Sequence, residues 1–425
     1  GSRRKGPMNK GEHGTAQPIF CHECGLLLRA SPLPEGATAK CPRCGAFLYR
    51  HRTNSIERSL SLLFGALILF VVAQTFPFMT LKMEGREQIT VLLQGCLEFY
   101  RQGLWPLALL VFFATTAAPL AKMACSMWVL LPLYRGRQPW HGGRVFRLAQ
   151  ALRPWAMMEV YLLGTFVAYV KLIDMATLQL DTGLFAFCLL ILVMSWADSA
   201  LEPAEVWERL KPSTPVPPPP QPAPGQHLVG CHACDLVAPL DGGHARCPRC
   251  GAALHVRKVD SLARTWALVL TAVILYVPAN LFPVMTVISF GSGEPDTILS
   301  GVKALIAAGM WPLAILVFVA SITVPMLKLL GLSFLLISVQ RRSSWRRRDR
   351  TRLYRIIEGV GRWSMIDIFM ISILVALVKL GAIATIEPGV GATSFAAVVV
   401  TTMLASMAFD PRLIWDAAVQ ERKPA

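Results

Sequence analysis

Cys41-Pro-Arg-Cys-Gly-Ala46 returns 206 residues later as Cys247-Pro-Arg-Cys-Gly-Ala252, and this echo decides how the rest of the chain is organised. A further C-x2-C doublet precedes each copy, Cys21 and Cys24 before the first and Cys231 and Cys234 before the second, with gaps of 16 and 12 residues. A doublet lets two thiolates reach one metal from a single tight turn, and two doublets complete a tetrahedron with no open position. Gly45 and Gly251 follow the second doublets, where positive φ is needed. The expected cofactor is therefore Zn2+ in two structural sites of four thiolates each: Cys21, Cys24, Cys41 and Cys44, then Cys231, Cys234, Cys247 and Cys250. A redox pair would need a single doublet beside a βαβ pattern. Tetrathiolate iron shares the spacing and stays open as the other metal. His22 and His232 sit inside the doublets but are surplus to four sulfurs.

The same offset pairs Phe76-Pro77 with Phe282-Pro283, Met79-Thr80 with Met285-Thr286, Gly95 with Gly301, Trp105-Pro106-Leu107 with Trp311-Pro312-Leu313, Pro119 with Pro325 and Lys122 with Lys328. After a slip of two residues, Trp155 falls on Trp363, Glu159 on Asp367 and Lys171 on Lys379. The chain reads as two tandem halves. Between them lies a proline-rich stretch, 211–226, that cannot pack a core.

Of the 425 residues 54% are apolar and 16% charged, which fits a membrane protein and excludes a disordered, collagenous or secreted disulfide-rich chain. Each half holds four apolar stretches long enough for about 30 Å of hydrocarbon. They lie near 58–79, 104–133, 154–176 and 183–200, and near 264–288, 310–338, 362–386 and 393–410. The expected fold is an all-α polytopic membrane protein, a tandem duplication in which each half is a small cytoplasmic zinc ribbon plus four transmembrane helices, eight in total. The expected division is 1–17 cloning scar and N-terminus, 18–52 ribbon, 53–210 first transmembrane domain, 211–226 linker, 227–257 ribbon, 258–416 second transmembrane domain and 417–425 tail. No signal peptide follows Met8.

The net charge of +16 is concentrated. Arg3, Arg4 and Lys5 belong to the scar, five arginines lie in 134–153 and nine in 339–362. Basic loops face the cytoplasm, so the ribbons and both termini are expected there, where thiols stay reduced. Because both halves share the basic loop, topology explains it better than nucleic-acid binding. Contact with anionic headgroups is compatible with this reading.

Ionisable residues inside spans cost about 2.5–3.5 kcal/mol at a helix centre and are functional candidates. By the helical rise Lys122 and Lys328 lie about 16 and 15 Å from the expected cytoplasmic ends, and Glu159 and Asp367 about 8–9 Å in. Lys122–Glu159 and Lys328–Asp367 are the expected ion pairs. Ser321, Ser364, Thr401 and Thr402 extend the set in the second half, whereas Ala156 and Met194 make the first less polar. Lys171 and Lys379 lie near the far interface, within snorkelling reach. The transport candidates are thus Ser321, Lys328, Ser364, Asp367, Lys379, Thr402, Lys122, Glu159 and Lys171, against a purely structural ion-pair role. Matched prolines at 77, 106, 119, 283, 312 and 325 open or end helices at membrane depth.

No P-loop, H-E-x-x-H or G-x-S-x-G occurs, so no enzyme is expected. The two ribbons, with Pro278-Ala-Asn-Leu-Phe-Pro-Val-Met285, Thr297-Ile-Leu-Ser-Gly301, Gly361-Arg-Trp-Ser-Met-Ile-Asp367 and Asp410-Pro-Arg-Leu-Ile-Trp-Asp416, make the chain resemble the paraquat-inducible protein A (PqiA/LetA) family. The second half carries the fuller match. The resemblance implies a multi-pass protein of the bacterial cell inner membrane that partners an MCE-domain tunnel protein and loads or unloads membrane phospholipids, supporting envelope integrity. Proton coupling through Asp367 is the expected mechanism. The competing expectations are a structural anchor for the tunnel protein and a metal-dependent redox membrane protein.

Overall fold

The computed structural model describes residues 18–31, 33–50, 52, 54–83, 86–173, 177–210, 227–240, 245–289, 292–307, 309–378 and 384–420. Lys379, the segment 1–17, the linker 211–226 and the end of the tail, 421–425, lie outside the described residues. The first half runs β1 (Pro18–Phe20), β2 (Leu27–Arg29), β3 (Thr38–Lys40), β4 (Phe47–Arg50), α1 (Ser55–Thr75), β5 (Met79–Met83), β6 (Arg86–Thr90), α2 (Gln94–Arg101) and α3 (Trp105–Phe112). A π-helical turn, Phe113–Ala117, leads to α4 (Ala118–Tyr134), α5 (Gly142–Leu152), α6 (Met158–Leu172), β7 (Thr177–Leu180), α7 (Thr182–Ala200) and α8 (Pro203–Arg209). The second half follows the same order. It runs β8 (His227–Gly230), β9 (Val237–Leu240), β10 (Ala245–Arg246), β11 (Ala253–Leu254), α9 (Ser261–Leu281), β12 (Met285–Ser289), β13 (Ser292–Asp296), α10 (Ile298–Ala307) and α11 (Trp311–Phe318). Next come a π turn, Val319–Thr323, α12 (Val324–Gln340), α13 (Arg347–Val360), a 3-10 turn, Gly361–Met365, α14 (Ile366–Leu377), β14 (Ala384–Pro388), α15 (Val390–Ala408) and α16 (Leu413–Gln420).

Among the described residues, seven helical segments are long and apolar enough to cross a membrane, not the expected eight. The stretch expected as a span at 154–176 forms α6, whose 15 residues reach only about 22 Å. The chain is a mostly helical, multi-pass membrane protein, but it is not all-α. β5 pairs antiparallel with β6 and β7, and β12 pairs with β13 and β14, so each half ties two inter-helix connections into a three-stranded sheet. Helix α1 stops because Phe76 precedes Pro77 and is extended (φ −86°, ψ 153°), as a residue before proline must be; Phe282 ends α9 the same way. The estimate of 264–288 for a span overran this stop into β12.

Matched prolines also explain the π turns. Pro119 has no N–H for the carbonyl of Thr115 and its ring crowds that group, as Pro325 does for Ser321. A widened turn directly ahead of each proline relieves the crowding. Thr115 and Ser321 turn their hydroxyls back onto the carbonyls of Val111 (2.8 Å) and Val317 (2.6 Å).

The helices are unequal in burial. The segment Arg347–Leu377 is 83% buried over its most apolar window, whereas the corresponding window of α9 is 22% buried. Every residue of α14 is buried. It is the axis of the molecule, and α6 of the first half packs along it. Gly164 makes that approach possible, since a Cβ there would lie 3.1 Å from the Ile366 carbonyl oxygen and 3.0 Å from Phe369 Cβ.

The ribbons dock crosswise. Ribbon 1 joins the core of the second half, its cysteines sharing one buried cluster with Leu332, Tyr354, Ile357 and Trp415. Arg355 of α13 binds Glu23 and donates to the Cys44 carbonyl (2.9 Å), Arg348 donates to the Pro42 carbonyl (3.3 Å), and Arg43 stacks 4.4 Å over Trp415. Ribbon 2 belongs to the larger core that also holds Val206 and Trp207 of α8, and Gly143 of α5 lies beside Trp207, Arg249 and Cys250. Arginines that read as topology markers therefore also hold a ribbon in place.

Candidate functional site

In each ribbon the four Sγ atoms lie within 4.8 Å of one another. Cys21–Cys44 and Cys24–Cys41 are 3.5 and 3.6 Å apart, and Cys231–Cys250 and Cys234–Cys247 are both 3.5 Å. A tetrahedron with metal–sulfur bonds of about 2.3 Å has edges of about 3.8 Å, so both sets fit one four-coordinate ion. The turns that bring the sulfurs together need positive φ at Gly25 (68°), Gly45 (73°) and Gly251 (70°), and Asp235 takes the fourth such position at 55°. His232 stays outside the ligand set; burial, then the charge of Lys258, pushes its imidazole below the ordinary range.

A second site lies at α14. A cavity of about 40 Å³, room for a few waters, is bounded by Asp367 of α14, Lys171 of α6, Asp296 of β13, Gly301 of α10, Val317 of α11 and Phe395 of α15. Because Asp367 begins α14 while Lys171 ends α6 and Asp296 closes its sheet, the cavity leads along the spans from mid-helix toward the sheet end. Asp367 is 3% exposed, and among the described residues neither of its carboxylate oxygens has a hydrogen-bond partner; Ser364 Oγ is likewise buried and unpartnered.

The expected ion pairs do not form. Lys328, 2% exposed, donates from Nζ to Thr402 Oγ1 at 2.8 Å and lies against Gly361, where a Cβ would be 3.5 Å from Nζ. Lys122 pairs instead with Asp198 of α7 at 2.5 Å, and Arg153 stands 3.8 Å from the same carboxylate. Glu159 is exposed. The reason is lateral: α6 is drawn onto α14 at Gly164, which leaves Glu159 facing away although a lysine stem could bridge the difference in depth. Lys171 lines the cavity instead of running along the surface. Ser321 is fully buried beside this network, and Thr401 uses its hydroxyl on the Ala397 carbonyl (2.7 Å).

Two residues of these sites have no counterpart among the sequence candidates. Asp198 lies two residues, about 3 Å, from the end of α7, so its level alone does not match that of Lys122, and the lysine stem spans the difference. Asp296 precedes the capping pattern Thr297-x-x-Ser300, whose serine bonds Asp296 Oδ1 (3.1 Å) and accepts from Thr297 N–H (2.8 Å).

The family model described as Paraquat-inducible protein A matches residues 56–211 and again 262–419. The chain belongs to this family. The Intermembrane transport protein PqiA of Escherichia coli (strain K12) is 34% identical over 415 residues, 95% of this chain and 97% of that protein. The Lipophilic envelope-spanning tunnel protein A of the same strain is 32% identical over 404 residues, 93% of this chain and 91% of that protein. No solved structure matches the chain. These relatives are named a transport protein and a tunnel protein, in keeping with a chain that is not an enzyme.

Proposed function

We propose that this chain is the inner-membrane subunit of an envelope lipid-transport system, passing phospholipid to or from an MCE-domain tunnel protein that crosses the periplasm. The observation that carries the reading is the buried carboxyl of Asp367, whose oxygens meet no hydrogen-bond partner among the described residues, beside a cavity shared by both halves. An ionised group buried without a partner is costly, so this is the position where a proton or a cationic headgroup amine gains most. Lys328 and Thr402 form the neighbouring polar pair, and Lys171 and Asp296 set the charge at the outer end.

In this reading the ribbons and both chain ends are cytoplasmic, which the basic segments 134–153 and 339–362 support, and the two sheets face the periplasm and the tunnel protein. Each ribbon holds one Zn2+, which braces its turn; residues Cys21, Cys24, Cys41 and Cys44 and their second-half counterparts would be the ligands. Metal analysis of purified protein checks this: a colourless sample with about two zinc atoms per chain is expected, and a coloured iron sample would revive the redox alternative.

The transport reading is tested by complementation. Asp367→Asn and Lys328→Ala, produced at normal levels, should fail to rescue the envelope sensitivity of a deletion strain. Full rescue by both would reduce the chain to an anchor for its partner.

A further inference from the structure

Outside the cavity, the first half presents two grooves that share one ridge. The first, about 780 Å³, runs between α2 and α3; the second, about 440 Å³, runs between α3 and α15 of the other half. Trp105 and Leu109 border both. The ridge is apolar and open, with Trp105 63% and Leu109 61% exposed. Each groove also has one polar feature that its neighbours leave unused. At the end of α2, Arg101 is 62% exposed and its one ion-pair contact among the described residues, to Glu98, is 3.9 Å, the outer limit for such a pair. In the second groove Thr393 Oγ1 is buried without a hydrogen-bond partner among the described residues.

Thr393 lies in the first turn of α15, just after β14, and Arg101 closes α2 four residues before α3 begins. At the corresponding place in the second half the offset of 206 puts Ala307 for Arg101 and Ile306 for Tyr100. The guanidinium is peculiar to the first half; α10 carries instead Lys303, at the position of Leu97. Two apolar furrows either side of an aromatic ridge, headed by one guanidinium, have the layout of a diacyl lipid: two chains and one phosphate.

We infer that this face is a seat for a single glycerophospholipid, with its phosphate on Arg101, one acyl chain between α2 and α3, the other between α3 and α15, and its ester region beside Thr393. An arginine suits phosphate because its fork donates two parallel hydrogen bonds. Binding at the seat stands on the grooves themselves. Its use as a side entrance for cargo rests on the lipid-transport reading.

The test places the photocrosslinker p-benzoylphenylalanine at Leu97 or Leu109, with Ile274 on the exposed face of α9 as control, in full-length protein reconstituted in nanodiscs containing radiolabelled phosphatidylethanolamine. Every such position meets bulk lipid, so the readout is enrichment over the control. Losing one hydrogen bond to a charged group corresponds to about tenfold in occupancy, so Leu97 and Leu109 should capture about tenfold more label than Ile274, and Arg101→Gln should bring them to the control level. Leu109→Trp, which fills the ridge without touching the charge, should likewise abolish capture at Leu97. Equal labelling at all positions overturns the seat, as does capture in cells of a partner protein's helix at Leu97 in place of lipid. If enrichment at Leu97 persists while Asp367→Asn still rescues a deletion strain, the passage reading fails and the seat stands. If Asp367→Asn is inactive and no enrichment is seen, the seat alone fails.

Discussion

Helices α2 and α10 occupy the same place in their halves, yet they meet α14 differently. Against α2 the fit is so close that a Cβ on Gly95 would lie 2.7 Å from the Ser372 carbonyl oxygen; the corresponding Gly301 has nothing within 4 Å and faces the cavity. One buried helix cannot be equidistant from two copies of the same element. Where α2 closes onto it the first half is packed, and where α10 stands off the second half keeps an internal space. Asymmetry of packing, more than of sequence, makes the second half the one with a cavity.

The largest effect should come from the ribbons. Cys41→Ser removes a ligand from a site type worth about 10–16 kcal/mol in metal binding. Because ribbon 1 rests on the other half, hydrogen exchange should rise in Arg347–Val360 while Gly142–Leu152 stays protected, and Cys247→Ser should do the reverse. Loosening of each ribbon's own half would break the crossed arrangement.

Next comes the contact at α2 itself. Gly95→Leu must displace the α14 backbone and should cost about 3 kcal/mol or more, by the overpacking rule, measured as a fall in thermal midpoint in detergent. Gly301→Leu points into open space and should be tolerated; if both variants fall equally, the cavity is not where α10 stands off.

Lys122 and Lys328 should differ in sign. Lys122→Met leaves Asp198, 27% exposed, still beside Arg153, and should destabilise by about 1 kcal/mol. Lys328→Met replaces a buried ammonium whose hydrogen-bond partner is one hydroxyl, and should be neutral or stabilising by about 1 kcal/mol, while transport is lost. Destabilisation by Lys328→Met would show that the Lys328–Thr402 bond supports the fold. The smallest effect is Gly301→Ala, which should gain up to about 1 kcal/mol from helix propensity alone, read as a small rise in thermal midpoint.

The ribbons were legible in the sequence because cysteine spacing is itself geometry, and the spans because apolar length is. The level of each charge along its helix was only roughly legible, and direction around a helix axis was not: the stem of Lys122 could reach down to Glu159 or to Asp198, and the lateral draw of α6 onto α14 decides between them. Helix α13 was hidden by its charge. Nine arginines in 339–362 read as a loop, although Arg350, Tyr354 and Ile357 fall on one buried face. The sheets were hidden because their first strands continue the apolar runs of α1 and α9, and only Pro77 and Pro283 mark the change.

The crossing of the ribbons has a consequence for how such a molecule is assembled. A polypeptide comprising one half alone would carry a ribbon with no seat of its own and a seat with no ribbon. A second copy supplies both, by reciprocal exchange, the usual route to a swapped dimer. The full-length chain is then that dimer made covalent, and cutting it between the halves should yield two fragments that stay interlocked.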